Sequence, residues 1–214
     1  MRIIQVNTGA AQRLSGAIFD GQTGILKTAR EGRVAVHALG LDGDAVIDTR
    51  HHGGPDQAVY LYRSEDYAWF SEQLGRPVAP GSFGENLTAA GLREPGLAIG
   101  TRLEGPDLVL EVSAPRIPCR TLAQRMDDPG FVKKFLLARR PGIYLRVLKE
   151  GVVAAGDTFT VTPPAGFQVD TLEVFDAVQR RLDRGEIERL LAVPIDVRTR
   201  ADLEKRLASL DARS

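Results

Sequence analysis

Glycine and proline are spread so unevenly along this 214-residue chain that they divide it in two. Residues 1–166 carry 21 of the 22 glycines and 11 of the 12 prolines, while residues 167–214 carry only Gly185 and Pro194. Either residue weakens or breaks a helix, and both favour turns. The first part therefore turns often and cannot be built of long helices. The last 48 residues hold 19 charged side chains and few breakers, which suits short surface helices. The expectation is a mainly β body at 1–166 and an all-α extension at 167–214.

Branched runs place the strands of the body at Ile3–Asn7, Ile25–Thr28, Val34–Ala38, Ala58–Tyr62, Leu108–Val112, Tyr144–Leu148 and Thr158–Thr162. Without an alternating series of long helices, such strands predict a barrel or sandwich rather than a doubly wound sheet. Two helices interrupt them. Ser64 is placed to cap one that runs to about Leu74, and Asp128 to cap another over Phe131–Arg140. In the extension, Leu172, Phe175, Val178 and Leu182 recur at helical spacing. Ile187, Leu190 and Leu191 form a second apolar face, and Thr199-x-x-Asp202 resembles a capping box before a third. These faces are too sparse to fold alone, so the extension is expected to dock on the body.

Lys and Arg total 28, as do Asp and Glu, which argues against broad electrostatic binding of nucleic acid or of an anionic membrane. One cysteine excludes an internal disulfide framework and a Cys-rich zinc site. No run approaches the roughly 20 apolar residues of a membrane helix. The first residues lack the layout of a secretory signal, so a cytoplasmic location is expected.

Four constellations could carry chemistry. Cys119 follows Pro115 and Pro118 and lies between Arg116 and Arg120, whose charges favour a thiolate. Such a group suits a nucleophile or a ligand for a soft metal. His51 and His52 precede Gly53-Gly54-Pro55, where paired glycines let a backbone approach a ligand and offer N–H groups to an anion. As a zinc site the pair is weak, because neither His-Glu-x-x-His nor His-x-His occurs, and His37 reads as structural. Glu85, Asn86 and Thr88, after Phe83-Gly84, offer directional hydrogen-bonding groups, the amide suiting a heterocycle edge. Arg146 alternates with Tyr144 along an apolar run and must be paired or face a ligand. Together Arg50, Arg116, Arg120 and Arg146 could build a local anion cradle. Glycine-rich nucleotide signatures and the Gly-x-Ser-x-Gly elbow are absent, so a cysteine–histidine hydrolase has no recognisable motif.

In this order, Gly40-Leu41-Asp42-Gly43-Asp44, His51 to Asp56, Phe83 to Thr88, Arg116-x-Pro118-Cys119 and Tyr144-x-Arg146-Val147-Leu148 resemble MOSC domains. The stretch from Gly151 to Asp157 fits as well, and the extension is similar to the three-helix addition of the YiiM-type branch. The resemblance implies a closed β-barrel of the pyruvate-kinase type that binds the molybdenum cofactor (molybdopterin), with Cys119 as the metal ligand. It implies an oxidoreductase that reduces N-hydroxylated bases or related compounds to amines, with electrons from a separate donor protein; a homodimer is left open. Cys119, His51 and His52 would be catalytic, with His52, Gly53, Gly54, Asn86, Thr88, Arg116 and Arg146 in the cofactor pocket. A cofactor- or sulfur-carrier module bearing a persulfide on Cys119 is the alternative. Gln57 and Thr121 stand where many relatives have lysine.

Overall fold

The structure is a computed structural model that describes residues 1–92 and 96–212. Residues 213 and 214 of the expected extension, and 93–95 of the expected body, lie outside the described residues. Thirteen strands are described. In chain order they are β1 (Arg2–Thr8), β2 (Gln12–Leu14), β3 (Gly21–Thr23), β4 (Thr28–Ala29), β5 (Val34–His37), β6 (Gly40–Leu41), β7 (Val59–Arg63), β8 (Leu87–Ala90), β9 (Arg102–Glu104), β10 (Val109–Pro115), β11 (Ile143–Lys149), β12 (Gly151–Val153) and β13 (Thr160–Thr162). The helices are α1 (Ser64–Leu74), α2 (Arg120–Arg125), α3 (Phe131–Ala138), α4 (Thr171–Ala177), α5 (Arg184–Leu191) and α6 (Val197–Asp211).

Eight strands form one sheet in the order β13-β9-β10-β11-β7-β8-β1-β4, antiparallel except for the parallel pair β7 and β8. Strands β12-β5-β6 form a second sheet and β2-β3 a hairpin. The expected closed barrel is not formed. Between β1 and the stretch that enters β13 there is a single bridge, Arg2 to Thr158, and no ladder. The outer strands β13 and β4 span three and two residues, too short to close a sheet on itself. Nor is the chain mainly β, with about 28% of residues in helices and 27% in strands.

Strand β7 shows how the core is divided. Its side chains alternate faces, so Val59 and Leu61 enter an aliphatic cluster while Tyr60 and Tyr62 enter an aromatic one. Phe70, Phe83, Phe131 and Phe135 fill the aromatic side. Val169, Val174, Ile187, Leu190, Ile195 and Leu203 of the extension share the aliphatic cluster with Leu103, Leu110 and Val112 of the sheet. One continuous core therefore runs under both parts of the chain.

Several local expectations shift. The Ile25–Thr28 run pairs only from Thr28, because Lys27 N–H turns back to the Ile25 carbonyl at 2.9 Å. Ser64 is the first helical residue of α1, with extended Arg63 as its cap. Gly130, not Asp128, caps α3, which ends at left-handed Arg139. Asp196 caps α6 by accepting from the Arg198 and Thr199 amides at 3.1 and 3.2 Å, so Thr199 lies inside the helix. The capping box of the extension is instead Asp183 with Glu186, at the start of α5.

Candidate functional site

Cys119 stands where the chain leaves β10 and enters α2. Pro115 and Pro118 keep the approach extended, and Cys119 caps the helix at φ −133° and ψ 172°. The thiol is half-buried. Arg116 is buried beside it, at 4% exposure. Its guanidinium lies 5.5 Å from the Tyr60 ring centre, donates to the Ile117 carbonyl at 2.6 Å and reaches the thiol sulfur at 3.7 Å. In the antiparallel register Tyr60 faces Tyr144, and their rings lie 5.3 Å apart. His52 Nδ1 meets the Tyr144 hydroxyl at 3.3 Å, and the His52 side chain lies near enough to the thiol to favour its ionised form.

Burial alone would push the Cys119 thiol up. The Arg116 charge, the His52 side chain and the Leu122 amide outweigh it and bring the group down to about 5. Burial opposes the charge on Arg116 too, but Tyr144, Cys119 and Tyr60 around it hold its pKa above the ordinary value. At neutral pH the pair is a thiolate against a guanidinium, a soft nucleophile on a fixed cationic support.

These groups line a cavity of about 190 Å³. Its wall also holds Lys27, Asp44 and Asn86. Lys27 and Asp44 form an ion pair with side chains only 6% and 7% exposed. Burial lowers the Lys27 pKa, and Asp44 works against that. Asp44 is fixed by the Gly9 amide at 2.8 Å and by Asn86 Nδ2 at 2.9 Å. The cavity lining thus carries two cationic side chains, Lys27 and Arg116, together with one thiolate. A second cavity of about 230 Å³ lies where the extension meets the body, with His51, Asp196 and Arg198 in its lining. His52, Gln57 and Tyr144 line both cavities.

Of the residues singled out in the sequence, Cys119, His52, Gly53, Asn86 and Arg116 line the thiol cavity. Gly53 and Gly54 both take left-handed φ, 69° and 83°, and a Cβ on Gly53 would come within 2.8 Å of Val46. Gly54 is outside the lining, nearer Arg198. His51 is exposed, its Nδ1 at 2.9 Å from Asp48. Thr88 is fully buried behind the wall, where it donates to Glu85 at 2.9 Å. Asn86 is committed internally, accepting from the Tyr60 amide at 3.0 Å while donating to Asp44, so it braces the wall instead of offering a free edge. Arg146 is paired with Asp56 at 2.9 Å and Glu111 at 2.8 Å and donates to the Pro194 carbonyl, away from the cavity. Arg120 is turned out to the Ile18 carbonyl, and Arg50 is exposed. The four-arginine cradle therefore reduces to Arg116. Lys27 was not singled out; it sits in no motif, and only folding brings it to the wall.

The sequence matches the MOSC domain family over residues 48–160, more than half of its length. The chain belongs to the MOSC domain family. This MOSC domain protein is 38% identical to YflK of Bacillus subtilis over 157 residues, 72% of this chain and 70% of that one. It is 33% identical to YiiM of Escherichia coli over 157 residues, 71% of this chain and 68% of that one. A protein of Gibberella moniliformis named a reductase is 33% identical over 165 residues, 74% of this chain but only 29% of its own length. Among solved structures, YiiM of Geobacillus stearothermophilus superposes with a TM-score of 0.80 at 26% identity, covering 96% of this chain and 98% of that one. YiiM of Escherichia coli gives 0.77 at 26% identity, covering 98% and 94%. The likeness reaches through the extension, so the protein is of the YiiM type.

Proposed function

We propose that the protein holds the molybdenum cofactor through Cys119 and reduces N-hydroxylated bases, or related N-hydroxylated compounds, to amines with electrons from a separate donor protein. The observation that carries this reading is a thiol brought down to about 5 in a cavity whose lining holds two cationic side chains, Lys27 and Arg116. The donor set fits the group. Cys119 is one soft ligand, and among the described residues no cluster of three or more His, Cys, Asp or Glu is placed to hold a bare ion. A metal that arrives with its own sulfur ligands needs one thiolate, and its phosphate needs cations such as Lys27 and Arg116. When bound, the cofactor supplies a two-electron centre for cleaving an N–O bond.

The chain's own residues do the rest. Arg116 keeps the sulfur ionised, and the rings of Tyr60 and Tyr144 present apolar surface at its side. His52, which meets the Tyr144 hydroxyl in the cavity lining, would hand a proton to the leaving oxygen. Metal and pterin analysis of protein from a cofactor-competent host tests the reading, together with reduction of a hydroxylamino base by a chemically reduced donor. Near-equal molybdenum and pterin are expected, with both metal and activity lost in Cys119→Ala; full activity in that variant would end the assignment. An acidified lone thiol also suits the persulfide carrier. A mass increase of about 32 Da on Cys119, without molybdenum, would favour that role.

A further inference from the structure

The loop that carries His52 is not held by the sheet. It runs from Asp48 to Gly54, turns through two left-handed glycines, and leaves its carbonyls without a strand partner. One side chain from the far end of the chain takes four of them. Arg198 Nε donates to the Arg50 carbonyl at 3.1 Å, and Nη1 donates to that of Gly53 at 2.9 Å. Nη2 donates to those of Thr49 and His52 at 3.0 and 3.2 Å. A planar guanidinium can span several acceptors in this way because its five donors are fixed in one fork.

The root of that fork is itself anchored. Arg198 lies in the first turn of α6, where Asp196 accepts from its amide, and the Asp196 amide donates to Ser113 of β10 at 3.1 Å. Beside it the Val197 amide donates to Asp56 at 2.8 Å, and Asp56 also accepts from Arg146. The sheet thus fixes α6, α6 fixes Arg198, and Arg198 fixes the loop.

We propose that Arg198 is a positioning residue of the site, through which the C-terminal extension sets where the His52 ring stands against Tyr144 and Cys119. This goes beyond the proposed reaction, since it holds whichever group the thiol carries. Its test needs neither molybdenum nor substrate, so its failure is separate from failure of that reaction.

The chain has three histidines, which makes their ring signals separable by nuclear magnetic resonance. The full-length chain should show a through-space contact between the His52 and Tyr144 rings. Arg198→Ala should lose that contact while the His37 signal stays in place. Arg200→Ala is the control, because Arg200 lies on the same helix but its side chain donates to the Leu191 and Val193 carbonyls of the extension. It should keep the contact. A His52–Tyr144 contact of wild-type intensity in Arg198→Ala overturns the proposal, as does equal loss in Arg200→Ala. Where the alanine variant does not fold, Arg198→Lys replaces it. One ammonium cannot span four carbonyls, so the contact should weaken, and full intensity in that folded variant overturns the proposal equally.

Discussion

A half-buried thiol beside aromatic rings would ordinarily be protonated and inert, and at Cys119 the neighbours reverse that. Alkylation of Cys119 by iodoacetamide should therefore rise through about pH 5, not through the value near 8.5 of a free thiol. The same shift has a stability consequence whose sign follows from linkage. The folded value lies below the unfolded one, so the contribution is complete above the unfolded pKa and is lost as pH falls through the folded one. The stability of the wild type relative to Cys119→Ala, from urea melts, should grow between about pH 5 and about pH 8.5. A flat difference across that window would remove the electrostatic account. At this scale the thiol and Arg116 were legible because they are sequence neighbours held extended by prolines. Arg120 was not, since the chain turns into α2 immediately after Cys119 and carries that side chain out to Ile18. Lys27 was invisible for a different reason. A single lysine in an apolar run says nothing until Asp44 and Asn86 are brought to it from 17 and 59 residues away.

Between elements, the tight points are where strands meet loops. Gly142 leads into β11 at φ 70°, and a Cβ there would lie 2.6 Å from the Tyr62 ring and 2.7 Å from the Tyr60 ring. Gly142→Ala should cost about 3 kcal/mol in a urea melt, from overpacking and a left-handed backbone together. Arg146 is the second such point. It joins β11 to Glu111 on β10, to Asp56 in the turn before β7, and to the Pro194 carbonyl of the extension. Removing it leaves two half-buried carboxylates facing each other, so Arg146→Met should cost about 2–3 kcal/mol by the same measurement. The sequence posed this residue as paired or ligand-facing. Its partners settle the choice, and because both carboxylates come from other elements no local pattern announced them. The helices were easier. Their apolar spacing was plain, and the misplaced caps were errors of a few residues, at Ser64, Asp128 and Thr199, where several polar side chains compete to start one helix.

The whole molecule behaves as one unit because the apolar residues of the extension enter the same cluster as the sheet. Thermal unfolding should show a single transition, and a chain cut after residue 166 should fail to give the exchange-protected core of the full protein. Two separable transitions would contradict the shared core. The strand-rich body was readable from glycine and proline alone, while closure of the sheet was not. It depends on the length of the outermost strands, and β4 and β13 span only two and three residues. Neutral overall charge likewise concealed the two cationic side chains of the cavity lining, one of which is offset by Asp44 beside it.

Arg198 and the carbonyl of Arg50 that it holds are 148 residues apart in the chain. During synthesis the His52 loop leaves the ribosome long before the helix that fastens it. A nascent chain that has made every strand of the sheet still lacks the apolar residues of the extension and the fork of Arg198, so its pocket is unfinished until α6 has emerged and docked. Loading of any ligand that needs His52 in place therefore waits for α6, and a ribosome stalled within the extension would hold a chain with neither the shared core nor the site set.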